Sequence, residues 1–487
     1  MTTRTHEARR RFLTFCALCV LLLFPPGLTA QGAASTASAA STASAAPAAL
    51  SLSVDDTVDL AIRNNLGLKI ERLKLDELKG DHSAGWNVFM PQVSLSAALS
   101  RSNLADADRA LPDLTGLPAY AASGFTGAFP MTTVPRWGAQ LLLDLSWGLN
   151  AAQFLAMKQT SLDYGRGVIT TQIAEKRLAR EVKRLYYSLL LFQESVHIFE
   201  QSLDLAQKRL DLAQAREKIG SASELDVLAE QVNVESVRPQ IIEQRDSYDI
   251  ALANLKRLLG LQQDVAVTLS GGLDVPVEGS ADTQNSLQRM RARLDLSYFR
   301  AAIESLRNKL AIDRAGLTPS LFVKWTVDPT FQRDIMDPST WSGVPLTDLW
   351  KQTQGALAIG VSIPLDPLVP LSKQRTEIDH SKHQIAEAEL GYQNALEGAE
   401  IQVLTLLKEL DKSVRLIGAA DTNIALAERL YAGAEKAYAG GGRNYLELQD
   451  ALNKLNVARF ERLRDKYGYL NTLTELEFAL TAGDFAP

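Results

Sequence analysis

Three residues in the second half of the chain have a spacing that could bind a divalent metal ion. His380, His383 and Glu387 are three and four positions apart, so they lie on one face of a helix and could ligate zinc together. The same spacing is more common on solvated helix faces, and we interpret the three residues as such a face. The sequence therefore predicts neither a metal site nor a cofactor.

The glycines at positions 440–442 are a second feature with possible chemistry, because glycine-rich loops can hold phosphate groups. A phosphate-binding loop follows a strand and ends in Lys-Ser or Lys-Thr, and the sequence around these glycines has neither feature. We interpret them as a turn. Since the chain also has no Ser/His/Asp arrangement and no paired-carboxylate pattern of a general acid and base, the sequence does not predict an enzyme.

The turn glycines lie at the ends of long helical patterns. From Leu178 to Ala213, mostly apolar residues recur at alternating steps of four and three, and the same steps recur from Ala399 to Ala434. Each position of the second pattern lies 221 residues after its counterpart in the first, so the chain is a tandem duplication. Sustained heptads favour coiled-coil packing between helices.

Each helical pattern runs from a predicted strand to a glycine, Gly220 or Gly440, over about 70 residues, which at about 1.5 Å per residue gives a helix of roughly 100 Å. Beyond each glycine the apolar pattern resumes, through residues 225–259 and 446–480. A long helix, a glycine turn and a second antiparallel helix form a hairpin. The sequence therefore predicts two long coiled-coil hairpins, which are too long for a compact globular domain.

Each half of the chain also contains two segments in which apolar and polar residues alternate, the pattern of a strand with one apolar face. The predicted strands cover about residues 92–102 and 138–148 in the first half and 320–328 and 354–364 in the second. Their length of about 9 to 11 residues is that of a tilted transmembrane strand. The sequence therefore predicts four membrane-spanning strands in each chain.

All six tryptophans fall in the predicted strands or close to their ends. This is the distribution of an aromatic belt at a membrane interface, although a general preference of tryptophan for strands would also produce it. The predicted interface residues are Trp137, Trp147, Trp325 and Trp350.

Four strands cannot close a membrane barrel by themselves, because the smallest such barrels have about eight strands and an open edge cannot face lipid. The strands of several chains would have to close one barrel together. The apolar face would then contact lipid, and the face rich in Ser, Gln, Asp, Gly and Thr would line a water-filled pore. The fold predicted from the residues is a shared pore continued by a long helical tube.

The N-terminus has the layout of a secretory signal peptide over residues 1–30, with Arg9–Arg11 before an apolar run and a small residue at Ala30. The Ala/Ser/Thr-rich residues 31–50 are interpreted as a flexible leader. The first structural repeat is predicted at 51–270, the linker at 271–281 and the second repeat at 282–487.

Composition excludes several further classes of function. Without the predicted signal peptide, which holds four arginines and one glutamate, the chain carries 47 basic and 56 acidic residues, a net charge of −9 that disfavours nucleic-acid binding. Both cysteines, Cys16 and Cys19, lie within that peptide, so disulfides and thiol chemistry are not expected. No later apolar run approaches the roughly 18 residues of a spanning helix.

Several segments together resemble the TolC-like outer-membrane efflux proteins. "LSLSVDDTVDLAIRNNLGLKIERLKL" is similar to the opening helix of that family, with its characteristic asparagine at Asn65, and "FMPQVSLSA" to the switch from helix to strand. "SIPLD" resembles the exit of the second strand, and "KIGSASELDVLAEQ" and "YAGGGRNYLELQDAL" resemble the two tip turns. The first-half counterpart "SWGLN" lacks the Pro-Leu pair of "IPLD".

This resemblance implies a mixed, mainly α fold in a homotrimer, with a twelve-stranded barrel in the outer membrane of a diderm bacterium and a helical tunnel in the periplasm. It implies a passive channel for efflux or type I secretion, docked to a periplasmic adaptor and an inner-membrane pump of the RND, ABC or MFS class. The alternative is a secreted coiled-coil structural protein or adhesin. That alternative explains the heptads but not four lipid-length strands with clustered tryptophans.

The helix lengths place the glycine turns far from the strands, so adaptor docking is expected there, at Gly220, Ser221, Gly441 and Gly442. The resemblance also implies a gate at this end, held shut by polar links between neighbouring helix pairs, with acidic rings that favour cations. Tyr438 and Arg443 match the linking positions and Asp226 their partner, and Glu447 and Asp450 match the ring. Ordinary solvated charges at a helix start would have the same composition.

Overall fold

The computed structural model describes residues 50–101, 110–112, 131–133, 137–274, 276, 282–331, 335–336, 345, 350–351, 355–365, 369–370, 372–440 and 445–481. The predicted signal peptide, nearly all of the predicted leader, most of the predicted linker, and Gly441, Gly442 and Arg443 lie outside these residues. The chain divides into two compact units. The strand unit contains Trp86–Phe154 and Ile312–Gln374, and the helical unit contains Ala43–Gly85, Leu155–Ala311 and Arg375–Pro487.

The predicted fold class, mainly α with four long strands, is confirmed. In chain order the described helices are α1 (Val54–Asn64), α2 (Leu66–Ser83), α3 (Ala151–Lys218), α4 (Glu224–Leu259), α5 (Thr283–Met290), α6 (Leu294–Ala315), α7 (Lys373–Ala439) and α8 (Tyr445–Ala479). The described strands are β1 (Leu50–Leu52), β2 (Gln92–Arg101), β3 (Ala110–Pro112), β4 (Met131–Thr133), β5 (Trp137–Leu149), β6 (Val267–Leu269), β7 (Ser320–Val327), β8 (Thr330–Phe331), β9 (Trp350–Lys351) and β10 (Gly355–Ser362).

The four long strands form an antiparallel sheet in the order β10, β7, β5, β2. Directly paired residues share a face of a sheet, so the register decides which side chains lie together. Leu95 pairs with Leu143, and Leu143 pairs with Val327, whereas Ser94 pairs with Asp144. The sheet therefore has one apolar face and one polar face, and large apolar side chains are exposed on the first, among them Val93, Leu95, Leu357 and Ile359.

Six short strands were not predicted. β8 and β9 extend the long sheet beside β5, β3 pairs with β4, and β1 pairs in parallel with β6 in the helical unit. Segments of two or three residues are too short to show an alternating pattern, and their pairing partners lie far away in the sequence. Among the described residues, no helix combines the length and the apolar character needed to cross a membrane.

The helical unit is built around the two predicted hairpins. α3 has 68 residues and α7 has 67, and at about 1.5 Å per residue each is roughly 100 Å long. α4 and α8 return with 36 and 35 residues. Many of the predicted heptad positions are buried, among them Leu178, Val182, Leu189, Ala206, Leu210 and Ala213 on α3, and Ala399, Val403, Leu410, Ile417, Ala427 and Ala434 on α7.

The turn of the first hairpin is fixed by backbone hydrogen bonds. Gly220 has φ +78°, its N–H donates to Glu217 O at 2.8 Å, and the N–H of Ser221 donates to Arg216 O at 2.8 Å. This is the Schellman arrangement that ends a helix with a left-handed residue, for which glycine is the least strained choice. The interpretation of Gly220 as a turn residue therefore has a direct conformational reason.

Asn65, the asparagine of the family resemblance, joins three helices. Its side-chain oxygen accepts a hydrogen bond from Leu68 N at 3.0 Å and caps α2, while its amide donates to Leu258 O at 2.9 Å in the last turn of α4. Its own N–H donates to Ala61 O at 2.8 Å at the end of α1. One side chain thus satisfies groups at the ends of two helices.

We expect Asn65→Ala to lower the free energy of unfolding of the helical unit by about 1–2 kcal/mol, because the change removes a helix cap and leaves Leu258 O without this donor. Chemical unfolding in detergent, followed by far-UV circular dichroism, measures the change. Asn64→Ala is the matched control, since Asn64 is not the cap residue. Equal destabilisation by the two changes would contradict the role of Asn65.

Candidate functional site

The candidate site is the end of the two hairpins at which α3 turns into α4 and α7 ends, here called the tip. The tip contains the five residues predicted as the gate: Asp226, Tyr438, Arg443, Glu447 and Asp450. Arg443 lies outside the described residues, as do the docking glycines Gly441 and Gly442. The other residues can be placed individually.

Asp226 belongs to the start of α4. Ser223 is the N-cap residue, and its N–H and hydroxyl donate to Asp226 Oδ2 at 2.9 and 2.8 Å, while Asp226 N donates to Ser223 Oγ at 3.2 Å. This reciprocal arrangement is a capping box. The hydrogen bond from the Ser223 backbone and that from its hydroxyl hold the pKa of Asp226 below its ordinary value. Asp226 therefore stabilises the helix start on which the turn depends.

The lowered pKa of Asp226 predicts a pH dependence of this helix start. A carboxylate whose pKa is lower in the folded chain contributes stability above its ordinary pKa of 3.8, and loses that contribution as the pH falls through the folded value. We expect hydrogen exchange in the first turn of α4 to accelerate below pH 3.8, relative to an Asp226→Asn sample measured at the same pH. Identical protection of both proteins at every pH would contradict this role.

Tyr438 contacts α3. The guanidinium carbon of Arg216 lies 5.4 Å from the centroid of the Tyr438 ring, and one heptad earlier that of Arg209 lies 5.7 Å from the Tyr431 ring. Both distances suit cation–π attraction, worth about 0.5–1 kcal/mol each at exposed sites. Arg209, Arg216, Tyr431 and Tyr438 are here called the arginine–tyrosine ladder, and they connect the first hairpin to the second.

The Arg209–Tyr431 pair of the ladder also belongs to a hydrogen-bond network that includes the two returning helices. Arg209 Nη1 donates to Gln449 Oε1 at 3.1 Å, and Arg209 Nη2 donates to Tyr431 Oη at 3.1 Å. Gln449 Nε2 in turn donates to Asn233 Oδ1 at 3.0 Å. Arg209, Tyr431, Gln449 and Asn233 come from α3, α7, α8 and α4, so one partly buried polar network joins all four helices near the tip.

The predicted acidic ring residues begin α8. Glu447 lies in the first turn and is exposed, and Asp450 accepts a hydrogen bond from Lys454 Nζ at 2.6 Å, one turn further along the helix. The Asp450 and Lys454 side chains are both largely exposed, so the pair contributes little to stability. The Asp450 carboxylate is thus paired with a cation of its own helix.

The remaining predicted positions are also placed. His380, His383 and Glu387 are exposed along α7, and among the described residues no group of three or more metal-binding side chains is gathered.

On β5, Trp137 and Trp147 lie on one face, ten residues and roughly 30 Å apart, about the thickness of the hydrocarbon core of a bilayer. Trp325 lies on the same face, 45% exposed, and Trp350 lies in β9.

Comparison with known proteins agrees with this arrangement. The family model described as "Outer membrane efflux protein" matches residues 146–261, from the end of β5 through α3 and α4. The crystal structure of the outer membrane protein VceC of Vibrio cholerae matches with a TM-score of 0.68 and 15% identity, over 88% of this chain and 96% of that chain. Residues 146–261 of the chain are therefore similar to outer membrane efflux proteins, and its fold is that of solved outer membrane channels.

Two further relatives extend the comparison. The CmeC outer membrane channel of Campylobacter jejuni matches with a TM-score of 0.67 and 18% identity, over 88% of this chain and 85% of that chain. The alkaline protease secretion protein AprF of Pseudomonas aeruginosa is 22% identical over 328 residues, which is 65% of each chain. The chain therefore spans about 65% of the length of this curated relative.

The likeness to solved structures shows the fold of this chain. The matched family model describes outer membrane efflux proteins, and the matching structures are those of outer membrane proteins and channels. A secreted rod or adhesin, which the heptads alone would also fit, is not favoured.

Proposed function

We propose that the protein is the outer-membrane channel component of a tripartite efflux or type I secretion system, and that it conducts substrates passively to the exterior. The observation that carries this proposal is the sheet of β10, β7, β5 and β2, with one exposed apolar face and one polar face, in the same chain as two hairpins of about 100 Å. Lipid-length strands with this alternation suit a pore wall.

The edges of the sheet support closure by three chains. Among the described strands, β2 pairs with β5 and β10 pairs with β7, so each has one edge left for a neighbouring chain. An unpaired edge in lipid is costly, and pairing β10 of one chain with β2 of the next would remove every edge. Three chains in cyclic symmetry then give a twelve-stranded barrel, the architecture that the family resemblance implies.

The helical unit carries exposed apolar surface that suits the same trimer. One stripe of α4 exposes Leu225, Leu228, Val232, Ile242 and Ile250, and a groove along α7 and α8 exposes Leu426, Leu430 and Val457. Contiguous exposed apolar surface of this kind is typical of interfaces. The stripe of one chain would pack into the groove of the next, an unlike-surface contact that closes as a ring.

The tip carries the proposed docking and gating roles. The turn at Gly220 and Ser221 and the equivalent turn at Gly441 and Gly442 would receive a periplasmic adaptor, which connects the channel to an RND, ABC or MFS pump. The name of AprF, an alkaline protease secretion protein, supports a polypeptide among the candidate cargoes.

The gate would use the predicted residues together with the ladder. Tyr438 is held by Arg216 from the first hairpin, and Arg443 and Asp226 would link neighbouring helix pairs. Glu447 and Asp450, repeated three times around one axis, would favour cations at the narrowest point.

Membrane fractionation followed by bilayer recording tests the proposed function. The full chain should stay with outer membranes after a high-salt wash, migrate as a trimer unless it is boiled, and form channels in planar bilayers. Release by salt alone, or a monomer without channel activity, would overturn the proposal and favour the secreted rod.

A further inference from the structure

Within the four long strands, the polar face of the sheet contains one acidic and one basic residue. The four strands β2, β5, β7 and β10 have three charged residues in all: Arg101, Asp144 and Lys324. Arg101 is the last residue of β2, and its guanidinium carbon lies 5.6 Å from the ring centroid of Trp137. Asp144 and Lys324 instead lie near the middle of β5 and β7, away from the strand ends.

Asp144 and Lys324 contact each other directly. Lys324 Nζ lies 3.1 Å from Asp144 Oδ2. In the strand register Asp144 pairs with Thr326, and Lys324 pairs with Ser146, so the ion pair runs diagonally across one face. The hydroxyl of Thr326 donates to Asp144 Oδ2 at 3.4 Å as well. The pairing is thus fixed by the register of two neighbouring strands.

The strand residues that flank the pair are neutral, whereas Asp328, just past the end of β7, adds a further carboxylate on the same side. Asp144 is flanked across the sheet by Ser94 and Thr326, and the nearest polar contact along the same face is that of Gln140, whose Nε2 donates to Asp328 Oδ1 at 2.7 Å. The Asp144 side chain is 19% exposed and that of Lys324 is 55% exposed. The carboxylate is therefore the more sheltered partner, and it has the stronger need of a counter-charge.

We propose that Asp144 and Lys324 set the ion preference of the strand section of the conduit by cancelling each other's charge. This inference rests on the proposed function, in which the polar face lines a pore formed by three chains. Three carboxylates and three ammonium groups then lie at one level of the wall with no net charge. Three unbalanced charges at that level would focus a potential on passing ions and select between cations and anions.

Reversal potentials of purified trimers in planar bilayers under a salt gradient test the inference. Lys324→Gln leaves the carboxylates unbalanced and should raise the permeability ratio of K⁺ to Cl⁻ by about twofold or more. Asp144→Asn should shift the ratio in the opposite direction, and the double variant should return to the wild-type ratio. Thr326→Val is the control, because it removes a neutral contact of Asp144 without changing any charge.

A cysteine at position 324 allows the charge there to be changed after the trimer has folded. Lys324→Cys trimers can be assembled first and then treated with a positively or a negatively charged methanethiosulfonate reagent. The positive reagent should restore the wild-type permeability ratio, and the negative reagent should move it further toward cations. If wild-type channels conduct but neither single variant nor either reagent changes the ratio, this inference is overturned alone. If the wild-type chain forms no channel, the proposed function is overturned together with it.

Discussion

Replacing Leu143 with arginine is expected to prevent assembly of the trimer in the outer membrane. Leu143 lies on the apolar face of the sheet, paired with Leu95 on one side and with Val327 on the other. An arginine near the bilayer midplane on the lipid face of a barrel costs about 2–4 kcal/mol. Three copies in one trimer would cost roughly 6–12 kcal/mol, comparable to the whole stability of a typical domain.

The neighbouring leucine provides a matched control for this prediction. Leu142 pairs with Ser96 and lies on the polar face, so Leu142→Arg introduces the same side chain at the same depth toward the pore. The quantity to compare is the heat-sensitive trimer recovered from outer membranes. We expect near-complete loss for Leu143→Arg and substantial recovery for Leu142→Arg. Equal recovery of the two variants would show that the apolar face does not contact lipid.

The long elements could be predicted from the sequence because their patterns are long. The strand predicted at about 92–102 occurs at Gln92–Arg101, and the one predicted at about 320–328 occurs at Ser320–Val327. Eight to ten alternating residues outweigh local exceptions, and so do eleven heptad positions in succession. Even Pro239, within α4, does not end its helix, because the tertiary packing of the amphipathic face outweighs the local cost.

The short contacts that shape the helical unit could not be predicted in the same way. β1 and β6 pair over three residues each, and the partner of Leu50 is Val267. Tyr186, fully buried on α3, has its hydroxyl within hydrogen-bond distance of Leu52 O and Ser270 O, at 3.0 and 2.6 Å. Such contacts are fixed by tertiary packing, and no local periodicity reports them.

The first residues of the predicted linker are another example. Leu273 is buried in the core formed with α7 and α8, and Asp274 forms an ion pair with Lys466, a side chain that is only 10% exposed. The pairing with Lys466 holds the pKa of Asp274 below its ordinary value. Composition predicted a linker, because the segment is rich in Gly, Pro and Ser. Composition does not show that Leu273 is buried or that Asp274 pairs with Lys466.

At the tip, the capping box can be predicted from the sequence, but the arginine–tyrosine ladder cannot. Ser223 and Asp226 have the spacing of a capping box, so the sequence alone predicts that Asp226 stabilises a helix start. The ladder could not be predicted from the sequence, because each arginine is 222 residues away from its tyrosine. The seven-residue spacing of Arg209 and Arg216, matched by that of Tyr431 and Tyr438, becomes informative only once α3 and α7 are known to be neighbours.

The ladder leads to the second prediction with a large expected effect. Two cation–π contacts per chain at about 0.5–1 kcal/mol each amount to roughly 3–6 kcal/mol in a trimer. If the closed tip depends on them, Arg209→Gln combined with Arg216→Gln should shift the balance between closed and open tips by about a hundredfold or more, since about 1.4 kcal/mol corresponds to a factor of ten. The observable is a higher resting conductance in planar bilayers.

Two controls test whether the higher conductance comes from losing the contacts with the tyrosine rings or from losing positive charge near the tip. Lys208→Gln removes a cation next to Arg209 on α3, from an exposed pair with Asp204 in the same helix, and should leave the resting conductance unchanged. Tyr438→Leu removes the ring that faces Arg216 without changing any charge, and should raise the resting conductance. A resting conductance that rises equally in Lys208→Gln, or that stays at the wild-type level in the double arginine variant, would mean that the ladder joins the hairpins without holding the tip closed.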